Sequence, residues 1–249
     1  MFSHFDIAGS TVHLYNIFLM IAIVVASLLN EKYLEKYCTN KKKEVHLRLF
    51  IPCAVLVGLF GAYIMELITQ GKSFDINNLK GGFTFYGGFL LAFIFLILYA
   101  LVFRIKLLFI FNFYAPSMAI AHAIGRIGCF FGGCCYGAPT NSFLGVVYPE
   151  GSLPHTHYGC CALHPTQLYE SVSLFIIFLL LNKIKFQYRF SVYVIIYAIA
   201  RFIVELFRAD SRGELLGSTL FSPSQLIALF FVLIGVVIFI IQKLKLKQK

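Results

Sequence analysis

Seven stretches of this chain are too long and too apolar to belong to a fold built in water: residues 12–30, 47–69, 83–103, 107–131, 165–182, 190–207 and 223–242. Each is about 18 to 25 residues long. That is the length a helix needs to cross a hydrocarbon core of about 30 Å. Composition agrees, since 59% of the residues are hydrophobic and only 13% charged. Soluble domains carry roughly 25% charged residues, so an aqueous globular fold is excluded. The first run has no basic n-region and no small-residue cleavage site, and Lys41–Lys42–Lys43 follow it, so it reads as a retained span rather than a signal peptide. The expectation is an all-α polytopic membrane protein of about seven transmembrane helices, with residues 1–249 forming a single transmembrane domain.

The net charge of +10 would suit a nucleic-acid binder, but its distribution does not. Lys32, Lys36, Lys41, Lys42 and Lys43 lie between the first and second runs, and Arg104 and Lys106 between the third and fourth. Lys183, Lys185 and Arg189 lie between the fifth and sixth, and Lys243, Lys245, Lys247 and Lys249 close the chain. The intervening loops hold only Lys72, Lys80 and Arg212. Basic residues that favour alternate loops mark the cytoplasmic side. The N-terminus is therefore expected outside and the C-terminus in the cytoplasm, with no nucleic-acid partner.

Arg126, Arg201 and Arg208 remain inside or at the edge of hydrophobic runs. Ionisable groups at membrane depth persist where they pair, face a cavity or bind something charged. Arg201, Glu205 and Arg208 share one helical face by their spacing. They read either as a ladder holding helices together or, since one charge is left over, as a site for a phospholipid headgroup. A planar guanidinium suits phosphate well.

The densest segment runs from His122 to Thr140, with Gly125, Gly128, Gly132, Gly133 and Gly137 among Cys129, Cys134 and Cys135. So many glycines fit either close helix packing or a helix that breaks to make a site. His122 and Arg126 are four apart and could face one cavity. Cys160, Cys161, His155, His157 and His164 lie nearby in sequence. Such a set could bind zinc or form an extracytoplasmic disulfide, yet no C-x-x-C pair is present. No metal site is expected.

Together these residues resemble the bacterial prolipoprotein diacylglyceryl transferases. Gly125-Arg126-Ile127-Gly128 through Tyr136-Gly137 is similar to that family's signature. So are Gly145 to Pro149, His164 to Glu170, Arg201 to Arg208, Gly81 to Gly88, and His13-Leu14-Tyr15. The resemblance implies an enzyme of the bacterial cytoplasmic (inner) membrane, multi-pass, with its active site towards the outer face. It would move the diacylglyceryl group of phosphatidylglycerol to the lipobox cysteine of a preprolipoprotein signal peptide, without a cofactor. It implies catalytic roles for Arg126, Arg201 and Tyr86, and substrate contacts from Arg126, Tyr15, Gly137, Gln167, Glu205 and Arg208, with Glu205 orienting the arginines. The family usually has histidine at Tyr86, asparagine at Cys129 and glutamate at Cys134, so this is a cysteine-rich variant of the motif. The base for the incoming thiol is then Tyr86, His122 or His164. The competing readings are a diverged relative with another acceptor or with lipid binding alone, and a membrane thiol oxidoreductase using the cysteines. A transporter is disfavoured because the two halves show no matching broken helices.

Overall fold

The computed structural model describes residues 4–7, 10–38, 40–70, 85–208 and 222–247. A short antiparallel ribbon, β1 (His4–Ile7) and β2 (Ser10–His13), pairs His4 with His13 and Ile7 with Ser10. The hydropathy pattern assigned no strand here and began its first span at residue 12. Four-residue strands carry too few alternations to stand out beside a helical run. Then follow α1 (Leu14–Tyr37), α2 (Lys41–Gln70), α3 (Phe85–Val102), α4 (Leu107–Phe131) and the single-turn α5 (Leu153–Tyr158). The chain closes with α6 (Thr166–Lys183), α7 (Arg189–Glu205) and α8 (Pro223–Lys247).

Five segments among the described residues are long and apolar enough to cross a membrane: α1, α2, α4, α7 with the 3₁₀ turn that leads into it, and α8. The protein is thus a multi-pass helical membrane protein. The third expected span is only partly described, and its apolar portion is the shorter Gly87–Val102. The fifth, α6, has a polar start because Thr166, Gln167, Glu170 and Ser171 are all buried there. Buried polar groups in one helix need partners on its neighbours, so the half of α6 that weakens its hydropathy is the half that builds a site.

The chain divides into two compact units, one of Asn30–Phe111 and one of Met1–Leu29 with Asn112–Lys249. In the first, α2 and α3 meet through glycines. A Cβ placed on Gly61 would stand 2.6 Å from the Gly87 carbonyl and from Leu91 Cβ, and one on Gly87 would stand 2.3 Å from Met65 Cβ. Association in lipid relies on close packing rather than on hydrophobic exclusion, and small residues permit it. At the α2 end of this unit Arg48 pairs with Glu31 at 2.7 Å and Glu44 at 3.2 Å.

The second unit carries the polar site. Ala115, Ala119, Ile177 and Leu181 form the seam of α4 and α6, with Val192, Ile196 and Tyr197 of α7 packed on it. Ser171 Oγ donates to the Ala123 carbonyl at 2.8 Å across the same seam. α7 begins where Asn112 Oδ1 accepts the Phe190 N–H at 2.9 Å, satisfying one of the orphan donors of a helix start. α7 and α8 approach at Gly235, where a Cβ would lie 2.6 Å from Ile195 Cγ1, and Ser191 Oγ donates to Gln242 Oε1 at 2.8 Å. Between α4 and α6 the chain is irregular, yet it has its own small core of Tyr136, Tyr148 and Leu163.

Candidate active site

The last turns of α4 place His122, Arg126 and Cys129 along one face, and the first turns of α6 place Gln167 and Glu170 opposite them. Arg126 Nη2 lies 3.0 Å from Glu170 Oε1. Tyr197 of α7 donates its hydroxyl to the same oxygen at 2.7 Å, and His122 Nε2 stands 3.8 Å from it. Glu170 is 1% exposed. A carboxylate buried to that degree is tolerable only when paired and hydrogen-bonded, and two neighbouring helices, α4 and α7, supply its partners.

One turn further along α7 a second set begins. Arg201 Nη2 pairs with Glu205 Oε2 at 2.8 Å, and Arg208 Nε reaches the same oxygen at 3.9 Å. Ser222, at the start of α8, donates to Glu205 Oε1 at 3.2 Å. His122 links the sets, since its ring packs edge-on to Tyr197 at 5.2 Å and lies within electrostatic range of both Arg126 and Arg201. Among the described residues three guanidiniums face two carboxylates, so this set carries one net positive charge. Arg126 Nε and Arg201 Nη1 are buried without a hydrogen-bond acceptor among the described residues. Both donors are therefore available to an anion.

The glycine–cysteine segment is held by its backbone. Thr166 Oγ1 donates to the Cys135 carbonyl and Gln167 Nε2 to the Cys134 carbonyl, both at 2.6 Å, while Tyr148 donates to Gln167 Oε1 at 3.3 Å. Gly137 gives its N–H to the His164 carbonyl at 2.9 Å, and Ala138 gives its own to the Phe207 carbonyl at 2.8 Å. This stitches the segment to the starts of α6 and to the residues that carry Arg208. A Cβ at Gly137 would stand 2.5 Å from the Phe207 carbonyl and 2.7 Å from His164 Cβ, so no other residue fits there. Gly133 (φ +65°) and Cys135 (φ +61°) take the left-handed conformation that lets the chain turn so tightly.

The thiols of Cys129, Cys134 and Cys135 lie within hydrogen-bonding reach of one another, and the Arg208 guanidinium reaches Cys135. Hydrogen bonds from Cys129 and Cys134, with Arg208 behind them, hold the Cys135 thiol well below its ordinary range. The Cys134 thiol moves the opposite way, pushed up by its contacts with Cys129 and Cys135 and by burial. Burial likewise pushes the Tyr148 hydroxyl up to about 12. All seven cysteines are free thiols, with Cys160 and Cys161 exposed.

Two cavities flank these groups. The larger, about 770 Å³, is lined by His13, Tyr15, Gly132, Cys134, Tyr148 and Ser152 among others. Tyr15 owes its place there to Gly128, where a Cβ would press on Phe18 at 3.0 Å and on Tyr15 at 3.4 Å. The smaller, about 440 Å³, opens between α6 and α7 beside His164, Tyr169, Ile203 and Phe207.

A family model described as prolipoprotein diacylglyceryl transferase matches residues 3–241. The chain belongs to that family. It is 32% identical over 251 residues to the phosphatidylglycerol–prolipoprotein diacylglyceryl transferase of Clostridium tetani (strain Massachusetts / E88), covering 97% of each chain. It is also 32% identical to phosphatidylglycerol–prolipoprotein diacylglyceryl transferase 2 of Clostridium perfringens (strain 13 / Type A), covering 96% of this chain and 94% of that one. The transferase of Listeria monocytogenes serotype 4a (strain HCC23) is 30% identical over 257 residues, with 97% and 89% covered. The family assignment supports diacylglyceryl transfer as the reaction type.

Within this family member, Arg126, Arg201, Glu205 and Arg208 gather in one unit, Tyr15 lines the larger cavity, and Gly137 lies in the stitched segment. One expectation needs correcting. Glu205 holds Arg201 and Arg208, but the carboxylate that holds Arg126 is Glu170. Gln167 is 1% exposed; its Nε2 donates to the Cys134 carbonyl and its Oε1 accepts from Tyr148. Tyr86 begins the first turn of α3, and its side chain lies outside the described residues. Sequence reasoning also passed over Glu170 and Tyr197. An acidic residue within a predicted span carried the needed signal, because the rule that flags buried arginines flags glutamate equally.

Proposed function

We propose that this protein transfers the diacylglyceryl group of phosphatidylglycerol to the lipobox cysteine of preprolipoproteins in the bacterial cytoplasmic membrane. The observation carrying this reading is the pair of buried donors on Arg126 and Arg201 from which no group among the described residues accepts. They suit a lipid phosphate. The substrate's thiolate attacks the glycerol carbon, the carbon–oxygen bond to phosphate breaks, and glycerol phosphate departs with the electron pair. Guanidinium donors aimed at the departing oxygens stabilise charge as it develops, an effect worth about 2.7–4 kcal/mol per donor in other enzymes.

In this reading Glu170 and Glu205 orient Arg126 and Arg201, while Arg208 adds to the field. Tyr15 faces the substrate from the larger cavity, and Gly137 lets the Phe207–Arg208 backbone approach. The apolar cleft beside Ile203 and Phe207 admits acyl chains sideways from the bilayer. This reading takes the chain as seven spans with the N-terminus outside and the stitched segment towards the outer face. Of Tyr86, His122 and His164, His122 is the candidate base held beside both Arg126 and Glu170.

The test uses the purified chain with phosphatidylglycerol vesicles and a synthetic lipobox peptide, measuring glycerol phosphate. Release is expected, with at least a hundredfold loss in Arg126→Ala. No release, under conditions where a Clostridium relative is active, would sink the reading. Binding of the lipid without release would point to a relative that only holds lipid.

A further inference from the structure

Three thiols in mutual reach beside a guanidinium have no role in the transfer described above, because the reacting thiol comes from the substrate. Cys129 ends α4, Cys134 lines the larger cavity, and Cys135 lies one residue on, with Arg208 against it. Among the described residues, Arg126 on α4, Tyr15 on α1 and Tyr148 on the irregular segment interact with the thiols, while His13 and Glu150 line the cavity that Cys134 also lines and Glu205 pairs with Arg208. Their placement leaves Cys135 as the thiol most disposed to react, and Cys134 opens the path to it from the cavity.

We propose that Cys135 and Cys129 form a reversible disulfide, closed by peroxide and reopened by small thiols, and that its closure stops transfer. The Cys135 thiolate attacks hydrogen peroxide. The oxygen–oxygen bond breaks, hydroxide leaves and becomes water by taking up the proton the thiol had released, and the sulfur becomes a sulfenic acid. The thiol of a neighbouring cysteine then displaces hydroxide from that sulfur as a second water, so two thiols are oxidised and one peroxide is reduced. Geometry selects the second cysteine. Adjacent residues joined by a trans peptide have Cα atoms about 3.8 Å apart, below the roughly 4.4 Å at which disulfides begin. Cys134 is therefore excluded, and Cys129 remains.

The consequence for activity rests on the proposed transfer function. Closing the bond removes the thiolate from Arg208 and ties the last turn of α4, one turn beyond Arg126, to the segment stitched against α6 and α7. A site that needs its guanidiniums free to follow a departing phosphate would be locked out of register.

The experiment uses the full chain in detergent, reduced and then exposed to equimolar hydrogen peroxide, blocked with iodoacetamide, digested and examined by mass spectrometry without reduction. A Cys129–Cys135 linkage that dithiothreitol removes is expected. A linkage of Cys135 to Cys160 or Cys161, an intermolecular linkage instead, or Cys135 still fully alkylatable, would overturn the proposal. A second measurement needs no variant: at pH 6 Cys135 should alkylate at least tenfold faster than the thiol of a model peptide, and equal rates would count against it. Cys129→Ser should leave Cys135 as sulfenic or sulfinic acid without the linkage. Glycerol phosphate release from phosphatidylglycerol and lipobox peptide should fall at least tenfold on oxidation and return with dithiothreitol. If the reduced chain releases none, the transfer reading fails while the disulfide result stands. If the oxidised chain keeps its full rate, the switching role falls.

Discussion

Glu170→Gln separates the charge of Glu170 from its shape. The glutamine keeps an acceptor where Tyr197 donates at 2.7 Å and where Arg126 stands at 3.0 Å, but it carries no charge to offset the guanidinium. The full Coulomb attraction at that separation, with an effective dielectric constant near 20, is about 5.5 kcal/mol. The desolvation of both ions offsets much of it, and breaking a buried pair by deleting one partner costs about 3–5 kcal/mol. Because the amide retains both hydrogen bonds in weakened form, the expected loss falls to about 1.5–3 kcal/mol, the range for a hydrogen bond to a charged group. The chain has no tryptophan, so circular dichroism in detergent is the natural probe of unfolding. Transfer should fall further than stability, since an unanchored Arg126 no longer points Nε towards the lipid. Arg126→Ala strands the Glu170 anion, so the double variant Arg126→Ala/Glu170→Gln should be more stable than Arg126→Ala alone. A Glu170→Gln protein with wild-type unfolding and a wild-type rate at saturating lipid would refute the argument that Glu170 positions Arg126.

Gly137→Ala should abolish transfer and lower stability by about 1–3 kcal/mol, because its methyl meets backbone at 2.5 Å that cannot swing aside; retention of half the rate would contradict this. Gln167→Ala removes two buried hydrogen bonds at the Cys134 carbonyl, and faster limited proteolysis near residues 132–137 should appear together with a loss of about 1–3 kcal/mol. Cys135→Ser should show a pH signature in comparative unfolding. A thiol whose value is depressed on folding contributes stability that is complete above its unfolded pKa near 9 and declines as pH falls. The gap between wild type and Cys135→Ser should therefore widen between pH 6 and pH 8.5, by at most about 1.4 kcal/mol per unit. A gap that is flat or narrows would show that Cys135 is not ionised in the fold.

Much of the helical frame was legible because crossing a bilayer demands length and apolarity, which hydropathy reads directly. α4 spans the very residues of the fourth run, and α8 begins at the same proline as the seventh. Charge at depth likewise exposed Arg126, Arg201 and Arg208 without any three-dimensional knowledge. What stayed hidden depends on which atoms meet. Gln167 is an ordinary polar residue in sequence, and only the geometry shows that its amide grips a carbonyl in another segment. Tyr197 looks like one more aromatic of an apolar helix until its hydroxyl is found on Glu170. The resemblance implied that Glu205 orients Arg126, whereas the carboxylate paired with it arrives from α6, a contact between helices that no local periodicity encodes.

The segment bearing Cys134 and Cys135 is clasped mainly by its carbonyls, through Thr166 and Gln167, with the Cys134 thiol adding one weaker bond to the Cys129 carbonyl at 3.7 Å. Shape and reactivity are thereby uncoupled at these two positions. An amide or a carboxylate could be written in at residue 134 without redrawing the path of the main chain, which makes this short stretch a cassette for grafting different proton-handling groups into an otherwise unchanged site.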